Sequence, residues 1–206
     1  MPSADRPDNG LESRRQNLRR NVLAARAALP PEEVSRRSAL ICQHLLAHFA
    51  QIQGLRLGFC WPVRNEPDIR PVLALWRAGG SPTCLPLVLS EASALAFRDW
   101  QPGERLEADR YGIPSCPEGP LVIPEVLLLP CNAVDAGAYR LGYGGGFFDR
   151  TLAKLQPRPL AIGLAFEDSR VDSIFPGEYD QPLDALVTEA GAWQRVDGRL
   201  RALALT

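Results

Sequence analysis

Val126-Leu127-Leu128-Leu129, then Arg140-Leu141-Gly142-Tyr143-Gly144-Gly145-Gly146-Phe147-Phe148-Asp149-Arg150, then a helical stretch over residues 151–155: this succession decides the fold. Four apolar residues in a row suit a strand buried on both faces, the usual state of a parallel sheet. Outward from it the same alternation recurs. Runs at residues 55–61, 83–88, 95–97, 160–164 and 185–187 read as strands, 69–77 as a helical stretch between two of them, and 199–205 as a last edge strand after a Val196-Asp197-Gly198 turn. Residues 11–29 place Leu18, Val22, Ala25 and Leu29 at helical spacing. Pro30-Pro31-Glu32-Glu33 ends that helix and starts a second one running to about residue 50, since proline and acids suit a first turn. Residues 101–124, rich in Pro and Gly, form a long excursion. The expected fold is α/β: a single three-layer Rossmann-like domain with a mostly parallel sheet between helices. Ligands then belong where loops leave the carboxyl ends of strands, here after residues 57–61 and 127–129.

With 46% hydrophobic and 23% charged residues, the chain can bury a full core, and one domain over residues 11–206 is expected behind a disordered polar head at 1–10. A formal net charge of -1 supplies no global field for nucleic acid or an acidic membrane, so an anion site has to be built locally. No stretch approaches a membrane span, and residues 1–10 lack an apolar core. The five cysteines, Cys42, Cys60, Cys84, Cys116 and Cys131, have no CxxC spacing and read as reduced and mostly buried. A cytoplasmic protein, monomeric and acting on small molecules, is the expectation.

Four glycines in five positions between a buried strand and a helix let the backbone approach a ligand and aim its N–H groups inward. No Gly-Lys-Ser/Thr follows, and the third glycine of a dinucleotide fingerprint is missing, so this is neither a Walker loop nor a Rossmann fingerprint. A ligand-free glycine hairpin is the alternative. Arg140 before the loop can grip phosphate with its planar fork, and Asp149 after it is the kind of oxygen ligand magnesium takes beside phosphate. Asp184, ahead of the apolar residues 185–187, is either a second acid of that site or a capping aspartate.

Residues 11–37 hold seven arginines against three acids. At about 100° per residue, Arg15, Arg19 and Arg26 fall within about 40° of one another, beside the apolar stripe, while Arg20 points away into solvent. Such arginines either reach toward a bound anion or are merely solvated. His44 and His48 share a helix face, where a solvated face is the simpler reading than a metal site with no third ligand.

These residues together resemble the 5-formyltetrahydrofolate cyclo-ligases, also called methenyltetrahydrofolate synthetases. The loop from Arg140 to Arg150 looks like that family's RLGxGxGYYD segment. Arg15-x-x-Leu18-Arg19 with Arg26 is similar to its N-terminal KxxLR, Asn65-Glu66-Pro67-Asp68 to its acidic substrate segment, and Asp184 through Thr188-Glu189 to its closing Asp-x-x-x-Thr-Glu. The resemblance implies ATP as co-substrate and Mg2+, and conversion of 5-formyltetrahydrofolate to 5,10-methenyltetrahydrofolate with release of ADP and phosphate. It implies that Arg15, Arg19, Arg140, Leu141, Gly142, Tyr143, Gly144, Gly145, Gly146, Phe147 and Phe148 hold ATP. Asp149 and Asp184 would hold the metal, Arg140 and Asp149 would act in catalysis, and Trp61, Glu66, Phe147 and Phe148 would meet folate. Trp61 reads equally as a core aromatic. Arg15 stands where the family has lysine, and Phe147-Phe148 where it has two tyrosines. Sugar-phosphate isomerases or acyl-CoA transferases, and a non-catalytic nucleotide or folate sensor, are the rival classes.

Overall fold

The computed structural model describes residues 9–204. Two helices come first, α1 (Asn9–Ala27) and α2 (Pro31–His48), followed by β1 (Leu57–Phe59), α3 (Arg70–Ala78), β2 (Thr83–Leu87) and β3 (Ala96–Trp100). The excursion contains β4 (Glu107–Ala108), β5 (Pro114–Ser115) and β6 (Leu121–Val122). Then come β7 (Val126–Pro130), β8 (Ala133–Asp135), β9 (Arg140–Leu141), α4 (Phe147–Lys154), β10 (Leu160–Leu164) and β11 (Arg170–Val171). The chain closes with β12 (Ala185–Thr188), β13 (Gly191–Val196) and β14 (Arg199–Ala202).

Nine strands make the central sheet in the order β14-β13-β12-β10-β7-β1-β2-β3-β6. Its five inner strands run parallel, and antiparallel pairs extend both edges. The apolar run of β7 explains its central place. Val126 and Leu128 face one side and pack with Leu57, Phe59, Ile162 and Leu164 beneath Ile41 and Leu45 of α2 and Val72, Leu73 and Trp76 of α3. Leu127 and Leu129 face the other side and pack with Ala161, Leu186 and Leu152 of α4. Helices on both faces of a mostly parallel sheet make the three-layer α/β architecture that the alternation predicts.

Several boundaries differ from expectation. Residues 9 and 10 are helical, so the expected disordered head overlaps α1, and residues 1–8 lie outside the described residues. α4 starts at Phe147 rather than 151, because Gly146 adopts the left-handed conformation (φ 63) that turns the loop into the helix. The segment between β7 and the glycine loop is itself paired, β8 with β9 and with β11. This small sheet offers Ala133, Leu141 and Ile174 to Leu18 and Val22 of α1. The apolar stripe of α1 therefore seats the helix beside the glycine loop. β13 is an additional strand, whose buried Ala192 is followed by alternating partly exposed positions that give only a weak apolar signal in sequence.

Candidate active site

A cavity of about 710 Å³ opens where loops leave the carboxyl ends of β1, β2 and β9. That volume suits a ligand of drug size or larger. One half is polar, made by Arg15 and Arg19 of α1, Arg140, the glycine loop, Asp149 and Asp180. The other half is largely apolar, with Val63, Pro86, Val88, Leu95, Ile113 and the rings of Tyr111, Phe147 and Phe148.

Within the glycine loop, Gly144 (φ 101) and Gly146 (φ 63) use backbone conformations that L side chains rarely adopt. Among the described residues, none accepts a hydrogen bond from the backbone N–H groups of residues 142–149. Several of these amides belong to the loop and three to the first turn of α4, where the helix dipole adds positive potential. A β-carbon on Gly142 would meet nothing within 4 Å, so this residue borders open space. Arg19 holds the loop from α1, its Nε donating to the Gly142 carbonyl at 2.8 Å. Arg19 has no ion pair among the described residues, leaving its charge available to the cleft.

The other arginines are paired. Arg15 donates to both oxygens of Asp180, at 2.6 and 3.2 Å, which raises the guanidinium's already high pKa. Burial alone would raise the Asp180 carboxyl, but the bonds from Arg15 and from the Gly177 N–H outweigh it and hold it below the usual range. Arg140 is buried; it donates to Asp149 Oδ1 at 2.9 Å and to the Gln181 carbonyl at 2.5 Å. The Gln181 N–H donates to the same Asp149 oxygen at 3.0 Å. No described residue donates to Oδ2 of Asp149, which lines the cleft.

Beneath the loop lies a buried polar cluster. Glu66 belongs to a turn in which Arg64 (φ 51) and Asn65 (φ 58) are both left-handed. One Glu66 oxygen accepts the Val63 N–H at 3.0 Å and the other accepts the Tyr143 hydroxyl at 2.7 Å. Arg26 donates to Tyr143 Oη at 2.7 Å, to Asn132 Oδ1 at 3.0 Å and to the Arg64 carbonyl at 3.0 Å. Asn65 Nδ2 in turn donates to the Arg26 and Leu29 carbonyls at the end of α1. Burial pushes the Glu66 carboxyl above its usual range despite these bonds, and pushes the Tyr143 phenol up to about 12. On the aromatic wall, Tyr111 meets Phe147 edge-on at 5.6 Å, and the Arg150 guanidinium lies 5.0 Å over the same ring.

Arg15, Arg19, Arg140, Asp149, Phe147, Phe148, Tyr143 and the four glycines thus converge on one cleft. Glu66, expected to meet folate, is buried behind Tyr143 and does not border the cleft, because both its oxygens turn to the Val63 N–H and the Tyr143 hydroxyl. Three further expected residues stand elsewhere. Asp184 precedes β12 at the amino ends of the parallel strands; it accepts from the Ala161 N–H and from Arg158, both at 2.7 Å, and does not border the cleft. The acid that reaches the cleft is Asp180, four residues earlier. Only the chain path of 177–183 reveals this, since the two aspartates look alike in sequence. Trp61 packs edge-on against Trp100 at 5.5 Å, beside Phe59, with Arg70 4.9 Å over its face, and is absent from the cleft wall. A ring two residues past a buried strand end packs on the core instead. Leu141 is fully buried under α1 and its carbonyl accepts the Asn132 N–H, so it anchors the loop without reaching the cavity. Arg20 bonds Asn17 on the exposed side, as expected. His44 and His48 stack at 6.0 Å, and no cluster of three metal-ligating side chains exists among the described residues.

An α/β sheet with a glycine loop of unpaired amides and an apolar wall meeting in one cavity at its carboxyl end has the build of an enzyme cleft. The chain is similar over residues 11–189 to the 5-formyltetrahydrofolate cyclo-ligase family. It is 30% identical over 176 residues to the 5-formyltetrahydrofolate cyclo-ligase of Escherichia coli (strain K12), covering 82% of this chain and 97% of that one. It is 27% identical over 182 residues to that of Haemophilus influenzae, covering 84% and 97%. In three dimensions it resembles the Aquifex aeolicus 5,10-methenyltetrahydrofolate synthetase, with a TM-score of 0.76 and 26% identity over 92% of this chain and 96% of that one. The Mycoplasma pneumoniae 5,10-methenyltetrahydrofolate synthetase, at 22% identity and a TM-score of 0.71 over 85% of this chain and 98% of that one, shares the fold. The chain belongs to the 5-formyltetrahydrofolate cyclo-ligase family, enzymes of the ligase class.

Proposed function

We propose that the protein closes the imidazoline ring of 5-formyltetrahydrofolate at the expense of ATP, giving 5,10-methenyltetrahydrofolate, ADP and phosphate. The observation that carries this is one cavity with unpaired backbone amides and arginines in one half and apolar and aromatic walls in the other. The amides of residues 142–148 and the start of α4 receive the phosphates, with Arg15, Arg19 and Arg140 as cations around them. Folate takes the aromatic half, Phe147 and Phe148 offering ring faces, while Glu66 acts from behind the wall by accepting the N–H of Val63.

Asp149 and Asp180 are the donor set for magnesium: both are cleft carboxylates, and Oδ2 of Asp149 receives no bond from a described residue. When bound, the ion supplies charge that draws phosphate oxygens into line. Arg140 braces Asp149 for that task. The formyl oxygen attacks the γ-phosphorus and ADP departs; N10 then adds to the activated carbon, loses its proton, and phosphate leaves. Such phosphoryl transfer asks mainly for positioning and charge neutralisation, which arginines and amides provide. No histidine is needed, and none borders the cleft. Residues 11–206 then act as one ATP- and folate-binding domain, and the five free cysteines suit a reducing compartment such as the cytoplasm.

The direct test mixes the protein with 5-formyltetrahydrofolate and magnesium, with and without ATP, and follows the near-ultraviolet absorbance of methenyltetrahydrofolate. A rise that requires ATP is the expected outcome; no rise while ATP still binds would replace this reading with a sensor's. In the same assay Arg140→Ala should lose at least about tenfold in turnover, as removal of charge-stabilising donors commonly does.

A further inference from the structure

Tyr143 is the only residue between Gly142 and Gly146 with a side chain, yet its hydroxyl is anchored outside the loop. It receives a hydrogen bond from Arg26 of α1 and donates one to Glu66, both at 2.7 Å. The Arg64 guanidinium covers its ring at 5.1 Å. A glycine loop is costly to order because its unfolded alternatives are many. Here one phenol ties that loop to Glu66, whose other oxygen accepts the N–H of Val63 in the apolar wall of the cleft.

We propose that Tyr143 is a positioning residue that couples the two half-sites, so that nucleotide and folate each tighten the binding of the other. The inference rests on the cyclo-ligase reading above. A ligand packed on Val63 restrains its bond to Glu66, which restrains the phenol, which orders the loop amides before a phosphate arrives. Linkage makes the effect equal in both directions.

The test is calorimetric titration of the full chain with a non-hydrolysable ATP analogue, with and without saturating 5-formyltetrahydrofolate, and the reverse titration. The wild-type chain should show an affinity ratio of at least about fivefold, equal in the two directions. Tyr143→Phe keeps the ring under Arg64 and removes only the hydroxyl. Its ratio should fall to near one while each ligand alone still binds. A ratio unchanged in the variant, or absent in the wild type, overturns the coupling. Amide hydrogen exchange of the unmodified chain gives a second arm, since 5-formyltetrahydrofolate alone should slow exchange in residues 142–148. No slowing there overturns the proposal as well. Failure of the wild type to bind either ligand defeats instead the reading on which it rests.

Discussion

A methyl group on Gly142 would touch nothing within 4 Å, whereas one on Gly144 would sit 3.4 Å from the Arg19 guanidinium on a backbone of φ 101. The two glycines therefore serve different ends. Gly144 is required by its own backbone, since a side chain in the left-handed half of φ space costs on the order of 1–2 kcal/mol. Gly142 is required, on the proposed reading, only by what comes into the cleft. Gly142→Ala should melt within a few degrees of wild type while the ATP Michaelis constant rises about tenfold or more; paired thermal melts and initial rates decide it. An unchanged Michaelis constant would move the phosphates away from this residue. At this scale the sequence was legible wherever a periodicity applied. Helical arithmetic placed Arg15, Arg19 and Arg26 together, and all three sit on the face of α1 turned to the glycine loop or the cluster below it. It was not legible for Trp61, whose partners Phe59 and Trp100 come from two different strands.

Between β3 and β7 the chain makes a small flap rather than a structureless loop. β4 and β5 pair over two residues each, and Asp109 closes their turn by accepting the N–H groups of Tyr111 and Ile113. Asp109, Tyr111, Gly112 and Ile113 then wall the cleft, with Tyr111 against Phe147. The sequence offered only a Pro- and Gly-rich excursion, because two-residue strands carry no periodicity. So short a ladder, with both residues of β4 exposed, belongs to the low-stability end of the molecule. Asp109→Ala should loosen the flap without touching the core. We expect the folate Michaelis constant to rise several-fold with a melting temperature within about 2 °C, since about 1 kcal/mol shifts a domain of this size by only a few degrees. Steady-state kinetics with ATP saturating would show it. An unchanged folate constant would mean that the flap covers the nucleotide half alone.

Across the whole molecule the parallel strands set a direction, and it was the alternation of strands and helices that made this direction readable before any side chain was placed. Loops at the carboxyl ends build the cleft; turns at the amino ends only close the fold. Asp180 and Asp184 stand on opposite sides of that division, which the sequence could not reveal because four residues of chain carry the one to the other. Asp184→Ala removes the acceptor of the Ala161 N–H and the partner of Arg158. It should cost about 1 kcal/mol, or about 2–4 °C in melting temperature, with turnover and both Michaelis constants within twofold of wild type. Asp180→Ala should do the reverse to activity, dropping turnover and magnesium dependence together. Its stability effect has a sign fixed by Arg15. The folded carboxyl titrates below the unfolded one, so the pair contributes stability above about pH 4 and loses it as pH falls through the folded value. The gap in melting temperature between wild type and Asp180→Ala should therefore be present at pH 7 and close in acid. If Asp184→Ala were the variant that lost magnesium-dependent turnover, the chemistry would have to sit at the amino ends of the strands, and the cleft described above would not be the active site.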